Sequence, residues 1–79
     1  MVNGTDETQT LDLRGLKCPM PVLRARKALA AMRPGALLIV EATDPMSAID
    51  MPHMVHETRN ALIGQTSDQG VLRFEIRRI

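Results

Sequence analysis

Alternating apolar and polar residues predict β-strands near both ends of the chain. Residues 10–14 and 71–78 alternate between apolar and polar side chains at nearly every position, which is the two-residue period of a half-buried strand. The nearly all-apolar residues 36–43 are typical of a central strand covered on at least one face. Residues 62–67 could form a last helical turn or a short strand, and we favour the strand. Residues 68–70, Asp-Gln-Gly, suit the hairpin turn that would follow it.

Two segments between the predicted strands have the period of an α-helix. From Pro19 the apolar residues form one stripe of a 3.6-residue helix, and residues 33–35 end it. The stripe consists of Val22, Ala25, Leu29 and Met32. Asp44 and Pro45 predict the N-cap and first residue of a second helix, although we expect Pro52 to interrupt its first turn. The inner face of that helix would hold Met51, Val55, Thr58 and Leu62.

The order β-α-β-α-β-β predicts an α/β fold, a two-layer α/β sandwich. With right-handed crossovers, both helices lie on one face of a four-stranded mixed sheet. Leu37 and Ile39 could point to the uncovered face and make it less polar than usual. Residues 1–9 are polar and aperiodic, so we expect a flexible lead before a single domain at residues 10–79.

The composition limits the class of protein. The chain has 79 residues, a net charge of +1 and one cysteine, so it has no internal disulfide and no strong charge to attract nucleic acid. With no Trp or Tyr, and Phe74 as the one aromatic residue, it lacks a platform for base stacking. The longest apolar run is too short for a signal segment or a membrane span, so we expect a cytoplasmic protein with no membrane partner.

The one cysteine, Cys18, lies between the first predicted strand and helix, within a basic stretch. Residues 13–40 contain no acidic residue and six basic ones, namely Arg14, Lys17, Arg24, Arg26, Lys27 and Arg33. Pro19 suits the first helical position, which would make Cys18 the N-cap. Because Pro21 has no N–H, the Met20 amide would then donate to the sulfur. The helix dipole and the basic residues would act in the same direction, so we expect the pKa of the Cys18 thiol to be lowered.

Cys18 could be either a small buried residue or a nucleophile. Its position outside the apolar stripe, the flanking prolines and the basic surroundings favour a nucleophile. Without a Cys-x-x-Cys motif there is no resolving thiol for disulfide exchange. A persulfide on Cys18 could therefore not be discharged by an internal cysteine, which suits a sulfur carrier.

Residues 11–22, Leu-Asp-Leu-Arg-Gly-Leu-Lys-Cys-Pro-Met-Pro-Val, closely resemble the start of the TusA/SirA-like sulfur-carrier (sulfurtransferase) family. The hallmark of that family is a Cys-Pro-x-Pro motif after a Leu-Asp…Gly-Leu strand and loop. Here the motif is Cys18, Pro19, Met20 and Pro21. The similarity leaves out only the first nine residues, and it continues through Arg26, Lys27, Pro34, Gly35, residues 37–42, Asp44, Pro45, Asp50, Pro52 and residues 76–78.

The resemblance implies the βαβαββ sandwich and a sulfurtransferase-type role for Cys18. That cysteine would accept persulfide sulfur from a cysteine desulfurase or a rhodanese-type donor and relay it to a downstream acceptor protein. Pro19, Met20 and Pro21 would support Cys18, with no cofactor beyond the covalent persulfide. The pathway stays open among tRNA thiolation, molybdenum-cofactor enzymes and sulfur metabolism.

Two positions differ from the tRNA-thiolating members of the family. Those members often carry Glu at the position of Met20 and a second Asp at the position of Thr43. Both differences remove negative charge near the site. They weigh against the tRNA 2-thiouridine pathway and leave the carrier chemistry untouched.

A carrier must dock its partners, and the sequence offers surfaces for this. We assign the steering of partners to four basic residues, Lys17, Arg24, Arg26 and Lys27. Met20 and Leu23 could add an apolar contact beside Cys18. The alternative function is a non-catalytic adaptor or regulatory module whose basic first helix binds a protein. His53 and His56 could share a helix face, but such surface pairs are usually solvated, so we predict no metal site.

Overall fold

The computed structural model describes residues 7–79 and has the predicted order of elements. The elements are β1 (Thr8–Leu13), α1 (Met20–Ala31), β2 (Leu37–Ala42), α2 (Ser47–Glu57), β3 (Ala61–Asp68) and β4 (Val71–Arg77). The strand preferred for residues 62–67 is therefore confirmed. The predicted flexible lead falls largely on residues 1–6, which lie outside the described residues. β1 begins at Thr8, ahead of its predicted start at residue 10.

The four strands form one mixed sheet in the order β1-β2-β4-β3, as predicted. β1 pairs in parallel with β2, because a helical crossover connects them. β4 pairs antiparallel with both β2 and β3. The β3–β4 hairpin turns through Gln69 and Gly70, which have φ of 50° and 83°. Positive φ at both central residues suits the twist of a two-residue hairpin.

One core lies between the sheet and the two helices. Alternate residues of β2 and β4 point into it and are fully buried, namely Leu38, Val40, Ala42, Phe74 and Ile76. The helices cover them with Ala25, Leu29, Met51, Met54 and Val55. Both helices contact this one face of the sheet and each other, which confirms the two-layer arrangement. Within the predicted α1 stripe, Val22 is only half-buried, and Pro21 in the first turn is fully buried instead.

The other face of the sheet is open and mixed in character. Leu37 and Ile39 pair with Arg77 and Glu75, so their side chains lie on this face, where both are half-buried. The predicted position of the two apolar residues is confirmed. Arg73 lies between the acidic side chains of Glu41 and Glu75, at 3.9 and 3.6 Å.

Three predictions for the second helix are wrong. Asp44 and Pro45 are not its N-cap and first residue, because the cap is Met46 and the helix begins at Ser47. Pro52 does not interrupt it, since α2 runs without a break from Ser47 to Glu57. Met51 and Val55, which are fully buried around Pro52, hold that turn against the sheet. The helix also ends earlier than the apolar spacing suggests. Thr58 is its C-cap, with a hydroxyl that donates to the Met54 carbonyl at 2.8 Å, so the exposed Leu62 lies in β3.

Candidate functional site

Cys18 lies in the loop between β1 and α1 and is exposed, as its position in the sequence predicts. It is not the N-cap. Helix α1 begins at Met20, Pro19 occupies the cap position, and no side chain caps the helix. The Met20 amide donates to the Lys17 carbonyl at 2.9 Å, closing a turn, so it is not directed at the sulfur. The peptide bond between Cys18 and Pro19 is cis.

The side chain of Asp44 holds the Cys18 backbone in place. Its Oδ2 accepts a hydrogen bond from the Cys18 N–H, and its Oδ1 accepts one from the Met46 N–H at 3.2 Å. The second bond lies in the turn that precedes α2, so Asp44 fixes the approach to the helix but is not its N-cap, which is Met46. The first bond connects two loops. A parallel contact joins the same loops, because Gly15 donates its N–H to the Thr43 hydroxyl at 2.8 Å.

These loops meet because the strands before them are parallel and in register. Leu13 at the end of β1 pairs with Ala42 at the end of β2. The chain therefore leaves both strands at the same edge of the sheet, which is where open α/β sheets commonly place their functional groups. Each loop leads into a helix, so the first turns of α1 and α2 flank Cys18.

The Cys18 thiol contacts a carboxylate from α2. Its Sγ lies 3.4 Å from Oδ2 of Asp50, and the thiol is the donor. Asp50 belongs to the first turn of α2 and is half-buried. Sequence reasoning names Asp50 only within the family resemblance and misses this contact. The signal that could have found it is topological, since Cys18 and Asp50 each lie at the start of a helix that follows one of two parallel strands.

The surroundings of Cys18 raise the pKa of its thiol, contrary to the expectation from the sequence. The main cause is the hydrogen bond to Asp50, followed by desolvation and by the negative charges of Asp50 and Asp44. Each of these favours the neutral thiol over the thiolate. The basic residues of α1 do not reverse the direction. The expectation counted charges along residues 13–40, whereas the two decisive carboxylates come from outside that stretch.

The four predicted docking cations are all exposed. Lys17 precedes Cys18 directly, and Arg24 and Lys27 lie further along α1. Arg26 instead lines a shallow depression with Thr58, Asn60 and Arg78. Thr58 follows α2 and lies about 12 Å beyond Asp50 along that helix. Arg26 therefore lies towards the opposite end of the helices from the thiol.

Four exposed apolar side chains lie in the two segments that flank the thiol, and we call them the apolar rim. They are Met20, Leu23, Met46 and Ile49, with exposed fractions of 38%, 51%, 47% and 67%. Sequence reasoning proposes Met20 and Leu23 but misses Met46 and Ile49. The signal for the latter pair lies in the helical period, because neither residue falls on the inner face that Met51 and Val55 define.

Neither histidine of α2 makes a hydrogen bond to the thiol, whose partner among residues 7–79 is Asp50. His53 lies 3.4 Å from Glu57, its neighbour one turn later. His56 is exposed. Within residues 7–79 no three His, Cys, Asp or Glu side chains are grouped in a way that could hold a metal ion.

Comparisons with known proteins agree with this arrangement. The family model described as Sulfurtransferase TusA matches residues 9–78. The chain belongs to the TusA family. It is 42% identical over 73 residues to the sulfur carrier protein TusA of Allochromatium vinosum, a match that covers 92% of this chain and 96% of that protein. Its fold matches the crystal structure of a SirA-like protein from Desulfitobacterium hafniense with a TM-score of 0.78 and 28% identity, over 87% of this chain and 95% of that one.

Membership of the TusA family confirms the TusA/SirA-like resemblance found in the sequence. It gives the chain a role in sulfur relay, in which proteins that donate sulfur and proteins that accept it are its partners. In the part of the chain that the structure describes, no helix has the length and apolar character needed to cross a membrane.

Proposed function

We propose that Cys18 carries the relayed sulfur as a persulfide. A cysteine desulfurase or a rhodanese-type protein would donate the sulfur, and a downstream protein would accept it. The observation that carries this proposal is the position of Cys18. It is the only cysteine of the chain, and its exposed thiol lies at the edge of the sheet between the first turns of two helices.

The proposed chemistry needs no cofactor besides the covalent persulfide. A thiol takes the outer sulfur of a persulfide by exchange, and the donor is left as a thiol. The exchange involves no net oxidation. Because the chain has no second cysteine, a persulfide on Cys18 cannot collapse into an internal disulfide. It therefore persists until an external acceptor takes its sulfur.

The surface around Cys18 supports docking of both partners in turn. Donor and acceptor must each bring a sulfur or another reactive atom into contact with Sγ, so we expect both to contact the apolar rim. Among the described residues, four of the seven exposed large apolar side chains lie in the two segments that flank Cys18, which favours a protein-binding surface. Lys17, which directly precedes Cys18, and Arg24, in the second turn of α1, are both exposed and would steer an acidic partner towards the rim. Arg26 and Lys27 would contribute at longer range.

The destination of the sulfur is open to experiment. Thiolated tRNA, molybdenum-cofactor enzymes and sulfur metabolism are the three candidate pathways, and in each the chain would act through an acceptor protein and not by binding nucleic acid itself. A cytoplasmic location stays a prediction.

The proposal is tested by incubating the protein with a cysteine desulfurase and L-cysteine. Trypsin cleaves after Lys17 and Arg24, which isolates Cys18 in a short peptide of residues 18–24. We expect that peptide to gain the mass of one sulfur atom. The absence of any gain, with both desulfurase and rhodanese-type donors, would favour the adaptor or regulatory module instead.

A further inference from the structure

The two carboxylates beside Cys18 have different hydrogen-bond partners. Both oxygens of Asp44 accept backbone N–H groups, from Cys18 and from Met46. The carboxylate of Asp50 accepts a bond from the Cys18 thiol, and among residues 7–79 it has no other hydrogen-bond donor and no cationic partner. Asp44 is thus occupied in holding the backbone, whereas Asp50 faces the reacting sulfur alone.

The position of Asp50 suits a group that exchanges a proton with that sulfur. It lies in the first turn of α2, where the positive end of the helix dipole interacts favourably with a carboxylate. Its partner, the thiol, holds a proton that points to Oδ2 across 3.4 Å. The resting site therefore contains a proton donor and a proton acceptor in contact. Asp44 also bears on the thiol through its negative charge, but its hydrogen bond is to the Cys18 backbone N–H and not to the sulfur.

We propose that Asp50 accepts the proton of Cys18 when this thiol attacks a donor persulfide, and then returns it to the donor sulfur that leaves. This inference rests on the proposed function of Cys18. Proton transfer first gives the Cys18 thiolate and the neutral acid of Asp50. The thiolate then forms a bond to the outer sulfur of the donor persulfide, and the sulfur–sulfur bond of the donor breaks with its electron pair going to the inner sulfur.

The proton of Asp50 neutralises the thiolate that leaves. The sum is Cys18 thiol plus donor persulfide giving Cys18 persulfide plus donor thiol, with atoms and electrons balanced and no oxidant required. A thiolate is a basic leaving group, so a proton donor in contact with it assists its departure. The same carboxylate would work in the reverse sense when the loaded Cys18 discharges its sulfur.

Alkylation and sulfur transfer both use the Cys18 thiolate, but the proposed role of Asp50 predicts that they respond differently when its carboxylate is removed. Iodoacetamide alkylates the sulfur and releases iodide, which needs no proton. Sulfur transfer releases a thiolate, which does. Removal of the Asp50 charge should therefore speed alkylation at neutral pH, because the thiol then ionises more easily. The same change should slow sulfur transfer.

The test compares Asp50→Asn with the parent protein, with glutathione persulfide as the sulfur donor and iodoacetamide as the alkylating agent. We expect sulfur loading to slow by at least about tenfold, since general acid–base groups typically contribute 10² or more. Alkylation should become faster. Glu57→Gln removes one negative charge at the other end of the same helix and should leave both rates unchanged. Asp50→Glu, which keeps the carboxylate, should recover part of the loading rate.

A second measurement needs no variant and guards against a misfolded Asp50→Asn protein. Loading of the parent protein should slow more in heavy water than alkylation does, because only loading delivers the proton to a leaving sulfur. Equal slowing of both reactions would overturn the proposal, as would an Asp50→Asn protein that loads as fast as the parent or faster. A parent protein that accepts no sulfur from any persulfide would instead contradict the proposed function itself.

Discussion

The carboxylate of Asp44 accepts a hydrogen bond from the backbone N–H of Cys18, a residue 26 positions earlier in the chain. The same carboxylate accepts a second hydrogen bond, from the Met46 N–H in the turn before α2. One side chain thus fixes the reactive loop to the start of the second helix. The geometry of the thiol depends on both crossover connections of the sheet, and a change in one loop should be felt in the other.

Replacing Asp44 with Ala should destabilise the fold and loosen the cysteine loop. The change leaves two backbone N–H groups without their acceptor, and hydrogen bonds to a charged group contribute roughly 1.5–3 kcal/mol each. We expect the free energy of unfolding in urea to fall by at least about 1 kcal/mol. Asp44→Asn keeps one acceptor oxygen and should cost less. Equal stability of the parent and Asp44→Ala proteins would show that the two bonds do not hold the loops.

The thiol of Cys18 should ionise at higher pH than the cysteine of an unstructured peptide. Its hydrogen bond to Asp50 favours the protonated form, so the thiolate fraction at neutral pH is smaller than usual. The rate of alkylation by iodoacetamide, measured against pH, should have a midpoint above that of a peptide with residues 13–23. A midpoint at or below the peptide value would mean that the basic residues of α1 outweigh the two carboxylates.

The apolar rim should matter for a protein donor and not for a small one. Ile49 is 67% exposed, so Ile49→Ser should change stability by no more than about 0.5 kcal/mol. We expect it to slow loading from a desulfurase by roughly fivefold or more, which corresponds to about 1 kcal/mol, the loss that marks an energetically important interface residue. Loading from glutathione persulfide should not change.

The C-terminal Ile79 provides a matched control for the rim, because it is 61% exposed and lies outside α1 and α2. Ile79→Ser should load normally from both donors. Identical behaviour of Ile49→Ser and Ile79→Ser with the desulfurase would remove the rim from the docking surface.

Charge on the N-terminal half of α1 should steer the protein donor. Arg24→Glu should slow loading from a desulfurase at low salt and lose this effect as the salt concentration rises, because screening weakens steering. Arg33→Glu reverses a charge just beyond the other end of the helix and should have a smaller effect. Iodoacetamide should react equally with both variants. If the rate at which the desulfurase loads the parent protein stayed constant across a wide salt range, electrostatic steering would be contradicted.

The fold could be predicted because its signals are local. Alternation in β1 and β4, the apolar run in β2 and the helical stripe of α1 each lie within a few consecutive residues. The end of α2 shows where a local signal misleads. Thr58 and Leu62 continue the helical spacing of Met51 and Val55, but the chain turns at Arg59, which has a φ of 61°, and the hydroxyl of Thr58 bonds the Met54 carbonyl.

The candidate site could be predicted only in part. The sequence identifies Cys18 and its prolines, because they are neighbours in the chain. It does not show that Asp50 reaches the sulfur, since that contact depends on the parallel register of β1 and β2. The sequence predicts a lowered pKa for the Cys18 thiol, and this prediction is wrong for the same reason. The pKa depends on the charges that lie near the sulfur in the folded protein. Residues 13–40 contain no carboxylate, but the fold brings Asp44 and Asp50 next to Cys18.

The most direct test of the account follows one sulfur atom. A cysteine desulfurase supplied with L-cysteine that carries radioactive sulfur should label the protein to one sulfur per chain, and dithiothreitol should release all of the label. Cys18→Ser should fold with an unfolding midpoint within a few degrees of the parent, because the side chain is exposed, and it should take up no label. Label on a folded Cys18→Ser protein, or none on the parent, would contradict the assignment of the relayed sulfur to Cys18.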